Sequence, residues 1–147
     1  MAETFEHRAA TTASIMLRLR DFLRECVGSA SCEEADRVRE ALVLLPQAQG
    51  RSLADAPAIE RMLDAGAALS AMLAIVGPGA RFMLSCGEEQ ACMATVLATD
   101  GPEEVTGDGR TPALALLAAH VSACLAGLER CVALDETSSA PLSARLH

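Results

Sequence analysis

The chain has 147 residues, of which 51% are hydrophobic and 22% are charged. This length suits one domain whose core needs no disulfide or metal, because a chain of about 150 residues buries roughly 70% of its unfolded surface. All twelve basic residues are Arg and the formal net charge is −8, which disfavours nucleic acid as a direct partner, since phosphate binding needs clustered cations.

Three helices are predicted in the first half of the chain, each with apolar residues at the spacing of one buried face. They span about 6–27, 32–45 and 53–76. The capping-box spacing of Ser31 and Glu34 marks the start of the second helix, and Pro46 is expected to end it. Pro57 lies in the first turn of the third helix, which Gly77 ends.

The next segment is typical of short strands separated by turns. The strands are predicted over about 81–86, 91–99 and 103–106. Residues 87–90 form a hairpin loop and residues 107–109 are predicted as a further turn. Adjacent apolar residues such as Val96 and Leu97 put apolar groups on both sides of a strand. The sheet is therefore expected to be covered on both faces, by helices or by a dimer partner.

A last helix is predicted over about 112–133, with Thr111 as its cap and Pro112 in its first turn. The polar sequence from Asp135 predicts a disordered tail over 135–147. Together the elements predict a single α+β domain over residues 1–134. In it, three helices pack with a small antiparallel sheet and a C-terminal helix.

The location of the protein is expected to be cytoplasmic. No stretch reaches the roughly 18 uninterrupted apolar residues of a membrane span. The first eight residues carry Glu3 and Glu6 and no apolar core, which is unlike a secretory signal. In a reducing compartment the Cys residues are expected to remain mostly as free thiols.

Six Cys residues fall into three near pairs. The pairs are Cys26 with Cys32, Cys86 with Cys92, and Cys124 with Cys131. None has the short spacing of a structural zinc site. Cys124 and Cys131 continue the apolar stripe of the last helix, so packing is the favoured interpretation. A redox pair at the hairpin and a metal site stay open as alternatives.

Candidate catalytic residues are few. His120 is the histidine best placed to act as a base, because His7 lies near the start of the chain and His147 is its last residue. His120 lies one helical turn from Cys124, but no second ligand pair is readable nearby, so a place at a helix interface is favoured. No G-x-S-x-G motif and no Lys-bearing phosphate loop occur. We predict no catalytic residues, no cofactor and no metal.

The segment between Arg81 and Arg110 contains six acids and no base. The acids are Glu88, Glu89, Asp100, Glu103, Glu104 and Asp108. Solvated turns tolerate acids, which is the structural interpretation. The functional interpretation is a partner-binding face that docks on an Arg- and Lys-rich protein surface, with salt-sensitive association. The protein itself is expected to be a monomer or a homodimer.

The stretch 81–129 resembles known strand-strand-strand-helix units. Its third strand enters the last helix through GDGRTP at residues 107–112, similar to the junction in HicB-type antitoxins and to the end of double-stranded-RNA-binding domains. Those RNA-binding domains grip phosphate with Lys at the helix start. Here the matching positions are Pro112, Ala113 and Ala115, so the resemblance does not extend to RNA binding.

The order of elements is also similar to small accessory proteins of phages and prophages from GC-rich bacteria. That resemblance implies a non-enzymatic role in the contest between phage and host, including inhibition of a nucleic-acid-binding defence complex such as a CRISPR effector. One alternative is a self-associating regulatory module of antitoxin type, in which the hairpin or the last helix forms a dimer. A third is a thiol or metal-binding protein.

Overall fold

A computed structural model describes residues 2–49, 55–97 and 103–138 of the chain, in which five α-helices accompany a three-stranded antiparallel sheet. The elements are α1 (Ala2–Gly28), a 3₁₀ turn (Ser31–Glu33), α2 (Glu34–Gln49), α3 (Ala56–Asp64), α4 (Ala68–Val76), β1 (Phe82–Cys86), β2 (Cys92–Leu97), β3 (Glu104–Gly109) and α5 (Pro112–Ser138). The predicted α+β class is confirmed.

Helix α5 lies at the centre of the fold. Every residue from Ala113 to Ala119 is buried, so the first turns of this helix are covered around their whole circumference. The sheet packs on one side of α5, and α1, α2 and α4 pack on the other. A helix that is apolar all round belongs in such an interior position. Each fully buried Leu in it contributes about 2 kcal/mol to folding.

Helix α5 is also the one described helix whose length and composition would suffice to cross a membrane, with a mean hydropathy of 1.5. Half of the 18-residue apolar stretch in α5 that would be long enough to cross a membrane is buried inside the protein. Core helices of globular proteins meet the same criterion. The position of α5 between the sheet and the other helices accounts for its apolar residues.

The third predicted helix, over 53–76, is wrong in one respect: it is two helices, α3 and α4. Gly66 has φ of +77°, in the left-handed region that favours glycine. Its N–H bonds the carbonyl of Leu63 at 3.0 Å, and the N–H of Ala67 bonds the carbonyl of Met62 at 2.8 Å. These bonds form a Schellman motif, which ends α3. Because Gly66 also fits the apolar spacing, the sequence pattern runs through the break.

The predicted end of the second helix at Pro46 is also wrong, because α2 continues to Gln49 with this proline inside it. Proline removes one backbone hydrogen bond, but packing of the surrounding turns can offset that loss. Leu45 is fully buried and Ala48 packs against the core, so tertiary contacts hold the last turn of α2 in place.

The start of the second helix differs from the predicted capping. The carboxylate of Glu33 accepts a hydrogen bond from the N–H of Ala30 at 2.9 Å, one residue earlier than the predicted pairing of Ser31 with Glu34. Asp55 caps α3. The residues before it, from 50 to 54, lie outside the described part of the chain.

The predicted end of the last helix was also misplaced. Helix α5 continues to Ser138, so the first residues of the predicted tail are helical, while 139–147 lie outside the described residues. Once a helix exists, each further residue adds one hydrogen bond at little cost, which carries it through polar sequence. The end of the second predicted strand, at 98–99, also lies outside the described residues.

The turn predicted at 107–109 is wrong, because Gly107 and Gly109 belong to β3. Both are buried against α5. A Cβ atom on Gly107 would lie 2.7 Å from the backbone carbonyl carbon of Ala118. Glycine is present here because the strand backbone approaches the helix backbone directly, not because the chain turns.

Candidate interaction surface

One face of the sheet packs on α5, and the opposite face, here called the open face, is turned to solvent. It carries the alternate residues Met83, Ser85, Met93, Thr95, Leu97, Glu104, Thr106 and Asp108. The side chain of Met83 is 73% exposed and that of Met93 is 46% exposed. The expectation that helices cover both faces is therefore wrong, and cover from a partner remains a prediction.

Two of the predicted acids lie on the open face. Glu104 and Asp108 are four residues apart on β3, which separates them by about 13 Å. The register pairs Asp108 with Met93 and Glu104 with Leu97. Side chains at paired positions lie close enough to contact each other. Each acid therefore stands beside an apolar side chain of the neighbouring strand.

Glu88 and Glu89 are exposed in the hairpin loop between β1 and β2. Glu89 and Gln90 have φ of 60° and 58°, in the left-handed region. Holding a residue other than Gly there costs about 1 kcal/mol, and Asn or Gly is the usual choice in such a turn. The acid at position 89 is thus not the residue that the local backbone favours.

The remaining acids are placed differently. Glu103 is exposed but forms an ion pair with Arg130 of α5 at 3.5 Å. Arg130 lies outside the base-free segment between Arg81 and Arg110, so the sequence pattern did not indicate that Glu103 has a cationic partner. Asp100 lies outside the described residues.

The described acids do not form one compact patch. The strand pairing of Cys92 with Gly109 puts Asp108 at the end of the sheet that carries the hairpin loop and its Glu88 and Glu89. Glu103 and Glu104 lie at the other end. The open face therefore has an acidic group at each end and exposed methionines between them.

Cys86 and Cys92 are joined by a disulfide across the hairpin. The packing interpretation and the expectation of free thiols are both wrong for this pair. The N–H of Gly87 bonds the carbonyl of Ala91 at 2.8 Å, which makes these two a hydrogen-bonded pair. The next pair, Cys86 and Cys92, is therefore a non-hydrogen-bonded one, the position where opposed side chains lie closest.

The other four cysteines are not joined in disulfides. Cys26 is buried, and burial raises the pKa of its thiol to about 12. Cys124 is half-buried, whereas Cys32 and Cys131 are exposed. The packing interpretation therefore fits Cys26, but it is wrong for Cys131, because the end of α5 extends past the helices that cover its beginning.

A thiol count tests this arrangement. In the native protein, we expect Cys32 and Cys131 to react quickly with Ellman's reagent and Cys26 to react slowly, because only the thiolate attacks. Denaturation without reductant should give four thiols, and denaturation after reduction should give six. Six thiols in denatured, unreduced protein would contradict the disulfide.

Among the described residues, no three His, Cys, Asp or Glu side chains are grouped to hold a metal ion. Cys124 accepts a hydrogen bond from Nε2 of Gln49 at 3.4 Å, a contact between α5 and α2. His120 is half-buried one turn away on α5. These positions favour a structural interpretation of both residues.

A shallow groove of about 500 Å³ lies between α1 and α2. Its polar side chains are His7, Thr11, Ser14, Arg18 and Gln47. Arg18 donates a hydrogen bond to Gln47 at 2.9 Å. Among the described residues that line the groove, none is a carboxylate that could orient the imidazole of His7.

Comparisons with known proteins give no relatives for this chain. No protein-family model matches it, and no curated protein or solved structure matches it either. The resemblances in the sequence to HicB-type antitoxins and phage accessory proteins therefore remain hypotheses.

Proposed function

We propose that this protein is a non-enzymatic interaction module that binds a basic protein surface through its open face. The observation that carries the proposal is the arrangement of this face, where exposed Met83 and Met93 lie between the acidic groups at the two ends of the sheet. An exposed apolar patch with a polar rim is typical of a protein-binding site.

The two methionines supply adaptable apolar area, since an unbranched thioether side chain fits surfaces of different shape. Glu104 and Asp108 would orient the partner by pairing with its cationic side chains. A partner that presents two cationic side chains about 13 Å apart, with an apolar side chain between them, would match both features. The net charge of −8 would speed association with such a partner and oppose binding to phosphate.

The finer proposal concerns biological role. The resemblance to phage and prophage accessory proteins supports a cytoplasmic inhibitor that occupies a basic, nucleic-acid-binding surface of a host defence complex such as a CRISPR effector. Such an inhibitor acts by blocking and needs no catalytic group. Its affinity would depend on a few central contacts more than on the total contact area.

The test uses a fluorophore-labelled synthetic peptide that repeats the sequence Arg-Ser-Leu-Ser, so that an extended chain presents Arg side chains about 13 Å apart with Leu between them on the same face. We expect Glu104→Arg with Asp108→Arg to weaken binding of this peptide at least tenfold, about 1.4 kcal/mol, because both contacts become repulsive. Binding to the unaltered protein should also weaken as salt is added. Fluorescence anisotropy measures both effects.

The matched control is Glu6→Arg with Asp135→Arg, which makes the same change in net charge at exposed helix positions away from the sheet. It should leave binding of the peptide nearly unchanged. Equal losses in the two double variants would mean that net charge alone attracts the peptide. That result, or full binding by the β3 variant, would contradict the proposal.

A further inference from the structure

We propose that two copies of this chain pair antiparallel through β1, so that their sheets become continuous across a two-fold axis. The inference goes beyond the proposed function and does not depend on it. It uses the edge strand β1, and its test changes Arg81 and Glu88, whereas the test of partner binding changes Glu104 and Asp108 on β3. It rests on the exposure of β1, on the direction of its free backbone groups and on the charges at its two ends.

The strand β1 is an edge strand, since β2 is its neighbour on one side and the other side pairs with no described strand. All its residues except the half-buried Leu84 are exposed. Proteins usually protect an edge with a charge, a proline or a bulge. The sequence FMLSC has no charge and no proline, and its pairing with β2 is continuous without a bulge.

The opposite edge is unsuited to self-pairing. Strand β3 carries Glu104 and Asp108, and antiparallel pairing of two β3 strands would bring acids against acids. Helix α1 also packs against β3. Strand β1 is therefore the edge at which two copies can meet.

The hydrogen bonds that β1 makes with β2 determine which of its backbone N–H and C=O groups remain available to a second chain. The carbonyl of Arg81 accepts from the N–H of Leu97 at 2.9 Å, and the N–H of Gly87 donates to Ala91 at 2.8 Å. Hydrogen-bonding positions alternate along a strand. The backbone N–H and C=O groups of residues 81, 83, 85 and 87 therefore point towards β2, and those of residues 82, 84 and 86 point away from it.

A symmetric pairing centred on Leu84 uses all of these outward groups. It opposes Leu84 to its own copy and Phe82 to Cys86 of the second copy. Each opposed pair can then exchange two hydrogen bonds. Phe82, which is 37% exposed in one chain, would lie against the other chain's hairpin end. A two-fold contact of this kind closes on itself and does not propagate into a fibre.

The same register brings opposite charges together at both ends of the interface. Residue 81 of one chain is opposed to residue 87 of the other, so Arg81 comes beside Glu88 and Glu89 of the second copy. Arg81 is exposed and forms no ion pair with the described residues of its own chain. The two-fold axis generates this contact twice. This charge complementarity at both ends is the reason to infer a second copy of the chain as the partner at this edge.

The test is sedimentation velocity of the full chain, with an expected mass of twice 15.3 kDa. Arg81→Glu and Glu88→Arg should each raise the dimer dissociation constant at least tenfold, and the two changes together should restore the dimer. Arg8→Glu, the same charge change on α1, should leave it unchanged. Both β1-end changes are at exposed positions, so folding should survive them.

Amide hydrogen exchange gives an independent readout. The amides of Leu84 and Cys86 should be protected only at concentrations where the dimer forms, while those of Met83 and Ser85 should be protected throughout. A monomer at all concentrations would overturn the proposal and leave this edge to an extended segment of another protein. A dimer that tolerates Arg81→Glu would overturn it as well.

Discussion

Replacing Gly107 by Ala should destabilise the protein by at least about 3 kcal/mol, near the upper end of the range for overpacking a core. An added Cβ would meet the backbone of α5, at 2.7 Å from the carbonyl carbon of Ala118 and 2.8 Å from the carbonyl oxygen of Ala115. Backbone atoms cannot rotate away as a side chain can. The helix and the sheet would have to separate, which loosens the most buried part of the core.

The matched control is the same replacement at Gly127, farther along α5. Its nearest relevant neighbour is the guanidinium of Arg130, at 4.0 Å from the added carbon. Alanine within a helix is more favourable than glycine by about 1 kcal/mol, so Gly127→Ala should stabilise the protein. Urea denaturation followed by circular dichroism measures both variants. If Gly107→Ala is tolerated, β3 does not lie on α5 in the way described.

Replacing Arg37 by Met should destabilise the protein by about 2 kcal/mol. The side chain of Arg37 is only 19% exposed, and its guanidinium donates to Glu40 at 2.6 Å and to Glu33 at 3.1 Å. Its Nε also donates to Oγ of Ser29 at 2.8 Å, and Ser29 is the most buried polar residue in the described chain. The variant leaves that hydroxyl and the carboxylates without their shared donor.

The control for this variant is Arg24→Met. Arg24 also pairs with an acid, Asp21 at 3.4 Å, but its side chain is 80% exposed. Exposed ion pairs contribute little, so the free energy of unfolding should change by less than about 0.5 kcal/mol. Equal effects of the two substitutions would mean that the cluster around Arg37 has no special role.

Acid should reduce the difference between the unaltered protein and Arg37→Met. The hydrogen bond from the N–H of Ala30, together with the nearby Arg37, lowers the pKa of Glu33 below its ordinary value of 4.5. Because the pKa of Glu33 is lower in the folded state, its ionised carboxylate stabilises the fold fully at pH values above its ordinary pKa of 4.5. This contribution is lost as the pH falls through the lowered pKa. Denaturation curves at pH 7 and pH 3 would show whether the two proteins converge.

Much of the fold could be predicted from the sequence because long apolar stripes are local. Leu19, Phe22 and Cys26 recur at helical spacing and are all buried in α1. Glycine was harder to interpret, since its effect depends on what lies nearby. Gly66 breaks a helix although it fits the stripe, and Gly107 continues a strand although it resembles a turn.

The candidate site was only partly predictable. Sequence indicates that Glu88, Glu104 and Asp108 are exposed, because acids in short strands and turns avoid the core. It does not give strand register, which divides the acids between two ends of the sheet. Exposed Met83 and Met93 were missed because neighbouring apolar residues obscure the alternation in β1 and β2.

The most direct test of the interaction face is a methyl NMR titration of the six methionines with the Arg and Leu probe peptide. The methyl signals of Met83 and Met93 should shift together as peptide is added, while that of buried Met72 should stay in place. Shifts confined to other methionines, such as Met16 on α1, or none at Met83 and Met93 when the peptide binds, would contradict an acidic docking surface on the open face.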